Sequence, residues 1–144
     1  MADVSSEDIS QAYQDVRSDK SDTNWLLLKY QSDKIDTLTL VGTGSQGLEE
    51  MKNHVSDSEV MFGYARIVYS NDKESKREKF ILVVWIGPSV KVMRRAKVSV
   101  HTADVKKVLN AYSIEVAAKE KADLDEEPIV KRLRSAGGAS YDGV

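Results

Sequence analysis

The cationic side chains between residues 76 and 97 have the types and spacing that indicate a binding function. Seven bases and one acid, Glu78, lie in this stretch, whereas the whole chain of 144 residues carries a net charge of −2. Segregation of this kind favours contact with an acidic partner, although a core strand with solvated flanks accounts for the same residues. The bases are Lys76, Arg77, Lys79, Lys91, Arg94, Arg95 and Lys97.

Residues that could perform covalent or metal chemistry are sparse. The chain has no cysteine, and its two histidines, His54 and His101, stand apart in the sequence. A zinc site would need more ligands at short spacing, and His54 is interpreted as a surface residue. No G-x-S-x-G or P-loop pattern is present. We therefore expect neither an enzyme nor a bound metal or cofactor.

A glycine-rich stretch, Gly42–Gly47, matches the pattern G-x-G-x-x-G. It follows a predicted strand and precedes a predicted helix, Leu48–Val55, so a dinucleotide-phosphate cradle is one interpretation. The preceding strand, Ile35–Val41, has polar alternation and is predicted as the second arm of a hairpin, not the start of a parallel βαβ unit. The stretch is therefore predicted to be a flexible turn without a bound nucleotide.

An apolar run that ends in Ile86 is predicted to be the central strand, buried on both faces with Val83 and Trp85 in the core. The preceding Lys76–Lys79 is predicted to be a basic loop, anchored by Phe80, in which Glu78 locally weakens the positive charge. Pro88 fits the first turn of a helix that reaches about residue 98. Ser, Val, His and Thr at 99–102 are poor helix formers, and are predicted to kink this helix or begin a second one.

The other elements follow from periodicity and turn residues. They alternate as helix, hairpin, helix, hairpin, long helix, short strand and helix. The chain is predicted to form one domain over residues 1–137, followed by a flexible tail at 138–144. Lacking cysteine, a signal-peptide pattern and a run long enough for a membrane span, it is expected to be a cytoplasmic protein without membrane insertion. The predicted elements are a helix over 6–17 capped by Ser6, strands Asn24–Tyr30, Ile35–Val41, Val60–Ser70, Lys79–Ile86 and Ser113–Ala117, and a last helix with Pro128 in its first turn and Gly137-Gly138 at its end.

Five segments of the sequence resemble the actin-depolymerising factor homology (ADF-H) family, and within it the coactosin branch. Together they span the chain from end to end, and the tryptophan-containing segment and AGGASYD are the most specific. The resemblance implies an α/β (α+β) ADF-H fold, with a central mixed sheet of five to six strands flanked by helices on both faces. The segments are MADVSSEDI, DTNWLLLKY, SKREKFILVVWIG, RRAKVSVH and KRLRSAGGASYD.

The resemblance also implies a function and a set of contact residues. A coactosin-type protein binds filamentous actin in the cytoplasm as a monomer, modulates filament dynamics by opposing capping, and severs little. The family's filament-binding loop matches Lys73–Lys79, and its main actin-binding helix matches Pro88–Leu109. Phosphorylation in the manner of cofilin-like relatives would fall on Ser5 or Ser6, although a plain helix cap explains Ser6 as well. The implied actin-binding residues are Lys76, Arg77, Lys79, Lys91, Arg94, Arg95, Lys97, Lys131, Arg132 and Arg134.

Two other binding functions use the same bases. A sheet with aromatic residues and basic flanks can bind single-stranded RNA, but Lys76–Phe80 lacks the glycine and the spaced aromatic residues of an RRM signature, so no nucleic acid is expected. Contact with anionic lipid head groups such as phosphoinositides would rest on the bases alone and could coexist with actin binding.

Overall fold

The computed structural model describes residues 2–70 and 76–136. Within these residues, five strands form one sheet in the order β2-β1-β3-β4-β5. Neighbouring strands are antiparallel except for β4 and β5, which are parallel, so the predicted mixed sheet is confirmed. The elements are α1 (Glu7–Arg17), β1 (Trp25–Ser32), β2 (Ile35–Gly44), α2 (Gly47–Met51), a 3₁₀ turn (Lys52–His54), β3 (Val60–Ser70), β4 (Lys76–Ile86), α3 (Val92–Val108), β5 (Ile114–Ala118), a second 3₁₀ turn (Lys121–Leu124) and α4 (Glu126–Ala136).

Helices cover both faces of this sheet because successive strand residues point in opposite directions. Leu82 and Val84 of β4 belong to a hydrophobic cluster with α1 and α3, which we call the α1/α3 face. Val83 and Trp85 belong to a second cluster with α2 and α4, the α2/α4 face. Trp85 is 1% exposed and Val83 is fully buried, so their predicted burial is confirmed.

The N-terminal helix begins where the sequence predicts. Ser6 is its N-cap, and the Ser6 hydroxyl accepts a hydrogen bond from the backbone N–H of Asp8 at 3.3 Å. An N-cap hydroxyl satisfies one of the backbone donors that the first turn of a helix leaves unpaired. Ile9, Tyr13 and Val16 are buried on the side that faces the sheet. The amphipathic helix and its cap are confirmed.

The first half of the glycine-rich stretch belongs to a strand, so the predicted turn begins only after Gly44. Gly42 and Gly44 lie in β2, opposite Leu27 and Trp25 of the antiparallel β1, and Gly47 begins α2 with a φ of 68°. A Cβ atom at Gly44 would clash with the Glu50 carboxylate and the Trp25 indole nitrogen, so this glycine leaves room for the hydrogen bond between those two side chains. The βαβ context that a dinucleotide cradle requires is not formed here.

Two predicted boundaries around β4 are wrong. The strand itself includes Lys76, Arg77 and Lys79. Strand β4 pairs with β3 without interruption, from the pair of Val60 with Ile86 to the pair of Ser70 with Lys76. The helix begins at Val92 and not at Pro88, because the segment after β4 folds back on the loop before β3. The Gly87 N–H donates to Glu59 O at 3.1 Å, and the Ser89 N–H donates to Asp57 O at 2.8 Å.

The predicted helix end near residue 98 and the second start are also wrong, because α3 runs unbroken from Val92 to Val108. His101 and Thr102 are 2% and 7% exposed against the sheet, and the Thr102 hydroxyl donates to Val98 O at 2.7 Å. Burial of these side chains outweighs the low helix propensity of the segment, and the hydrogen bond satisfies the buried Thr102 hydroxyl. The helix predicted over Leu48–Val55 is shorter and ends in a 3₁₀ turn.

Parts of several predictions lie outside the described residues. They are the first part of the Lys73–Lys79 loop, the helix end at Gly137-Gly138 and the tail. The start of α4 is described and agrees with the prediction, with Glu126 and Glu127 in its first turn, where negative charge suits the helix dipole.

Candidate binding surfaces

The predicted contact residues lie at opposite ends of β4. Lys76 is the first residue of this strand and Lys79 lies close to it, whereas Lys91 lies beyond its last residue, Ile86. At about 3.3 Å per residue, the ten steps of β4 separate the two ends by about 33 Å. The bases therefore form two separate groups and not one continuous patch.

Strand alternation divides the first group between the two faces of the sheet. Arg77 and Lys79 share the side of β4 that carries Ile81, which packs on the α2/α4 face. Lys76 and Glu78 share the side of Phe80, whose ring stacks on Tyr64 with centroids 5.5 Å apart. The Glu78 carboxylate lies on the side of Lys76, 4.0 Å from the Arg66 guanidinium, and not on the side of Arg77 and Lys79.

Helix α4 adds a base to the side that holds Arg77 and Lys79. The Arg134 guanidinium donates to Ser70 O at 2.7 Å and lies 5.7 Å from the centre of the Tyr69 ring. Tyr69 is the cross-strand neighbour of Arg77. Arg132 instead donates to Glu115 O of β5 at 3.0 Å, and Lys131 is exposed one helical turn before Arg134. We call Arg77, Lys79 and Arg134 the hairpin-end surface.

At the other end of β4, the start of α3 presents apolar side chains to water. Val92, Met93 and Val100 are 79%, 76% and 58% exposed. Their spacing along the helix places them on its outer side, whereas Val98 and Val105 face the sheet. Exposed cations lie beside them. Together these residues form what we call the helix-start surface: Lys91, Val92, Met93, Arg95, Lys97 and Val100.

Reasoning from the sequence identified the cations of this surface but missed its apolar members. A signal for them is present in α3, which holds more apolar residues than one face can bury. Val98 and Val105 fall on a single stripe, and Val92, Met93 and Val100 are out of phase with it. Neighbouring apolar side chains left exposed in this way are typical of an interaction surface.

Arg94 differs from its neighbours because its guanidinium is engaged within the chain. It donates to the Asp36 carboxylate at 2.6 Å and to Ser32 O and Asp33 O at 3.0 and 2.7 Å. It also lies 3.7 Å from the centre of the Tyr30 ring, and its side chain is 12% exposed. Arg94 thus fastens the first turns of α3 to the turn between β1 and β2.

Asp36 connects this contact to a buried histidine. The Arg94 hydrogen bond lowers the pKa of Asp36, and the nearby charge of Lys97 adds to this effect. His101 lies with Nε2 3.8 Å from the Asp36 carboxylate and with Nδ1 2.6 Å from the Tyr30 hydroxyl. Burial lowers the pKa of His101 and raises that of Tyr30 to about 12, so both rings favour their neutral forms at pH 7.

A groove of about 410 Å³ opens beside the helix-start surface. Tyr30, Val60, Val90 and Met93 contribute to its walls. Among the described residues, no group of three histidine, aspartate or glutamate side chains could hold a metal ion, and no described helix is long and apolar enough to cross a membrane.

Comparisons with known proteins agree along most of the chain. Residues 1–134 match the family model described as cofilin/tropomyosin-type actin-binding protein. The chain is 41% identical over 144 residues to coactosin from Dictyostelium discoideum, covering 99% of this chain and 97% of that protein.

Solved structures extend the likeness to three dimensions. The crystal structure of coactosin from Entamoeba histolytica superposes with a TM-score of 0.84 at 30% identity, covering 94% of this chain and 96% of the other. Mouse coactosin, whose solution structure is described as that of an actin filament binding protein, superposes with a TM-score of 0.77 at 30% identity, with coverages of 99% and 96%.

Proposed function

Because the chain belongs to the family of cofilin/tropomyosin-type actin-binding proteins, a family without enzymatic activity, we propose that it binds actin filaments in the manner of coactosin. The observation that carries the proposal is the helix-start surface. Val92 and Met93 are more than three-quarters exposed in a protein whose other apolar side chains are largely buried. A partner that covers them removes apolar area from water, which is the main driving force of association.

The cations around these apolar residues select the kind of partner. Lys91, Arg95 and Lys97 surround them, and the described part of this surface has no exposed acid between them. Opposite charges on a partner would guide the encounter and fix the register of docking. An acidic partner surface with an apolar centre, such as a filament subunit, fits this arrangement.

The hairpin-end surface supplies the second contact in this proposal. It lies about 33 Å from the helix-start surface by the length of β4, at 3.3 Å per residue. The proposed contact uses the three bases of this surface, Arg77, Lys79 and Arg134, together with Lys76, Lys131 and Arg132. A partner that touches both ends must present a surface that spans this distance, which an actin filament does. Arg94 takes a positioning role instead of a contact, since its guanidinium is held by Asp36 and the neighbouring turn.

The finer behaviour implied by the coactosin resemblance is part of the same proposal. The chain acts as a monomer in the cytoplasm, on the actin cytoskeleton, where it opposes capping and severs filaments little. Filament-length measurements with and without a capping protein would test this behaviour. Shorter filaments on addition of the chain alone would contradict it.

Co-sedimentation with preformed filaments tests the binding itself. We expect the wild-type chain to sediment, and Val92→Ser combined with Met93→Ser to reduce binding while circular dichroism shows an intact fold. Lys20→Glu, in an exposed turn that belongs to neither surface, is a control and should bind normally. Wild-type affinity in the double variant would refute the helix-start surface, and absence of sedimentation by the wild type would refute filament binding.

The same experiment separates the other two binding functions. RNA binding has weaker structural support, because the tyrosine, tryptophan and phenylalanine rings of the described residues are all buried or partly buried and none offers an open stacking platform. Phosphoinositide vesicles form a separate arm of the assay. Binding to vesicles that persists in the Val92→Ser and Met93→Ser variant would indicate a contact that uses the cations alone.

A further inference from the structure

Sulfur is unevenly distributed between the interior and the surface of this protein. The chain has four methionines and no cysteine. Met51 and Met61 are 0% and 2% exposed, whereas Met93 is 76% exposed. Among the described residues, Met93 therefore carries the only sulfur atom that water and small oxidants reach freely.

We propose that Met93 is an oxidant-sensitive site, at which a peroxide forms methionine sulfoxide and thereby weakens attachment to filaments. The proposal rests on the proposed function, because Met93 lies within the helix-start surface, between Val92 and the groove beside α3. It adds a regulatory modification that binding alone does not imply.

The chemistry is a two-electron oxygen transfer. A lone pair of the Met93 sulfur attacks one oxygen of hydrogen peroxide, the O–O bond breaks, and a sulfur–oxygen bond forms. The remaining oxygen keeps one proton and takes up the other, and leaves as water, so the sulfur is oxidised and the peroxide is reduced. The product is reversible, because methionine sulfoxide reductases restore the thioether.

The modification would act on the part of the surface that must lose water on docking. An apolar thioether gains free energy when a partner covers it, whereas a sulfoxide carries a polar S–O group that needs a hydrogen-bond partner in the interface. Full burial of a methionine side chain accounts for roughly a ten-fold change in affinity or more. We expect filament affinity to fall by about that factor when Met93 is oxidised.

The buried methionines provide an internal reference. The sulfur and terminal methyl of Met51 pack so tightly at Gly63 that a Cβ atom there would lie 3.2 and 3.1 Å from them. Met61 pairs with Trp85 across β3 and β4, on the α2/α4 face. Oxidation at these two positions requires opening of the core, so it should be at least about ten-fold slower than at Met93.

The test treats the purified chain with hydrogen peroxide, removes the peroxide with catalase, and then adds filaments. Peptide mass spectrometry gives the oxidation rate at each methionine, co-sedimentation gives the affinity, and a methionine sulfoxide reductase tests reversal. Met93→Leu keeps an apolar side chain of similar size and is the matched control. We expect Met93 to oxidise first, the affinity to fall and recover, and Met93→Leu to bind equally well before and after peroxide.

Three results would overturn the proposal. Met93 could oxidise no faster than Met51, the Met93 sulfoxide form could bind filaments like the untreated chain, or Met93→Leu could lose binding on peroxide treatment as the wild type does. A wild-type chain that fails to sediment before any treatment is a distinct result, because it overturns the proposed function and with it the role of Met93.

Discussion

Replacing Arg94 with alanine should destabilise the protein and loosen the start of α3, whereas the neighbouring Arg95→Ala should do neither. Arg94 makes a 2.6 Å contact with Asp36 and donates to the carbonyls of Ser32 and Asp33, and its side chain is 12% exposed. The Arg95 guanidinium makes only two contacts within its own segment, at 3.3 and 3.4 Å, and Arg95 is exposed.

The magnitude follows from these contacts. Hydrogen bonds to a charged group contribute about 1.5–3 kcal/mol, and a cation lying over an aromatic ring adds about 0.5–1 kcal/mol at a partly exposed site. The sum is an upper limit, because the turn residues at 31–35 are exposed. After the substitution, water can donate hydrogen bonds to part of the carbonyl and carboxylate oxygens that the guanidinium had bonded. We therefore expect Arg94→Ala to lower the free energy of unfolding by about 2 kcal/mol.

Urea denaturation followed by circular dichroism measures this change, and hydrogen exchange at the Ser32 to Asp36 turn locates it. Arg94→Lys should lose most of the same stability, because a lysine keeps the charge but lacks the planar fork that reaches the carboxylate and the carbonyls together. In a double-mutant cycle, Asp36→Asn and Arg94→Ala should be strongly non-additive. Equal stability of the Arg94→Ala and Arg95→Ala proteins, or additive effects in the cycle, would refute the positioning role.

Three further predictions concern the core, the hairpin end and the buried histidine. Leu82→Ala should cost about 2–4 kcal/mol in urea denaturation, because Leu82 is fully buried in the central strand, and a loss below 1 kcal/mol would contradict that placement. Lys79→Glu should weaken filament co-sedimentation more than Lys76→Glu, because Lys79 shares its face with Arg134 and Lys76 does not, and equal effects would contradict the division of faces. Burial lowers the folded pKa of His101, so the unfolded chain takes up the proton first as the pH falls, and stability should decline below about pH 6.5. His101→Gln should flatten that decline in urea titrations from pH 7.5 to 5, and an unchanged slope would assign the decline to other groups.

The sequence predicts best those features that depend on local patterns. The Ser6 cap, the period of α1 and the apolar run in β4 each rest on residues close together in the chain, and each is confirmed. The start of α3 depends instead on hydrogen bonds from Gly87 and Ser89 to a loop about 30 residues earlier, which no local pattern reveals. Pro88 suits a helical first turn and a tight turn equally well, so its presence could not decide between them.

The candidate surfaces show the same limit more sharply. A list of bases treats Arg94 and Arg95 alike, yet the fold uses Arg94 to hold the β1–β2 turn and leaves Arg95 exposed. Asp36, whose carboxylate accepts the hydrogen bond that holds Arg94 within the chain, is 58 residues away from Arg94 in the sequence. Likewise, the difference between Lys76 and Lys79 appears only once these residues are placed in a strand, because alternation then assigns them to opposite faces.

The relative position of the two surfaces follows from how α3 and β4 are fixed. At its start α3 is held by Arg94, and beyond its last turn the Tyr13 hydroxyl donates to Asn110 and accepts from the Ala111 N–H, both at 3.0 Å. Strand β4 is paired on both sides along Ile81–Trp85, so it cannot bend easily between the two ends. Once one surface has docked, the other is already held at a fixed distance from the next filament subunit, and its binding becomes an intramolecular step. If the proposed function holds, loss of either surface should lower affinity by more than its own contacts contribute, and loosening α3 at Arg94 should weaken filament binding through the position of α3.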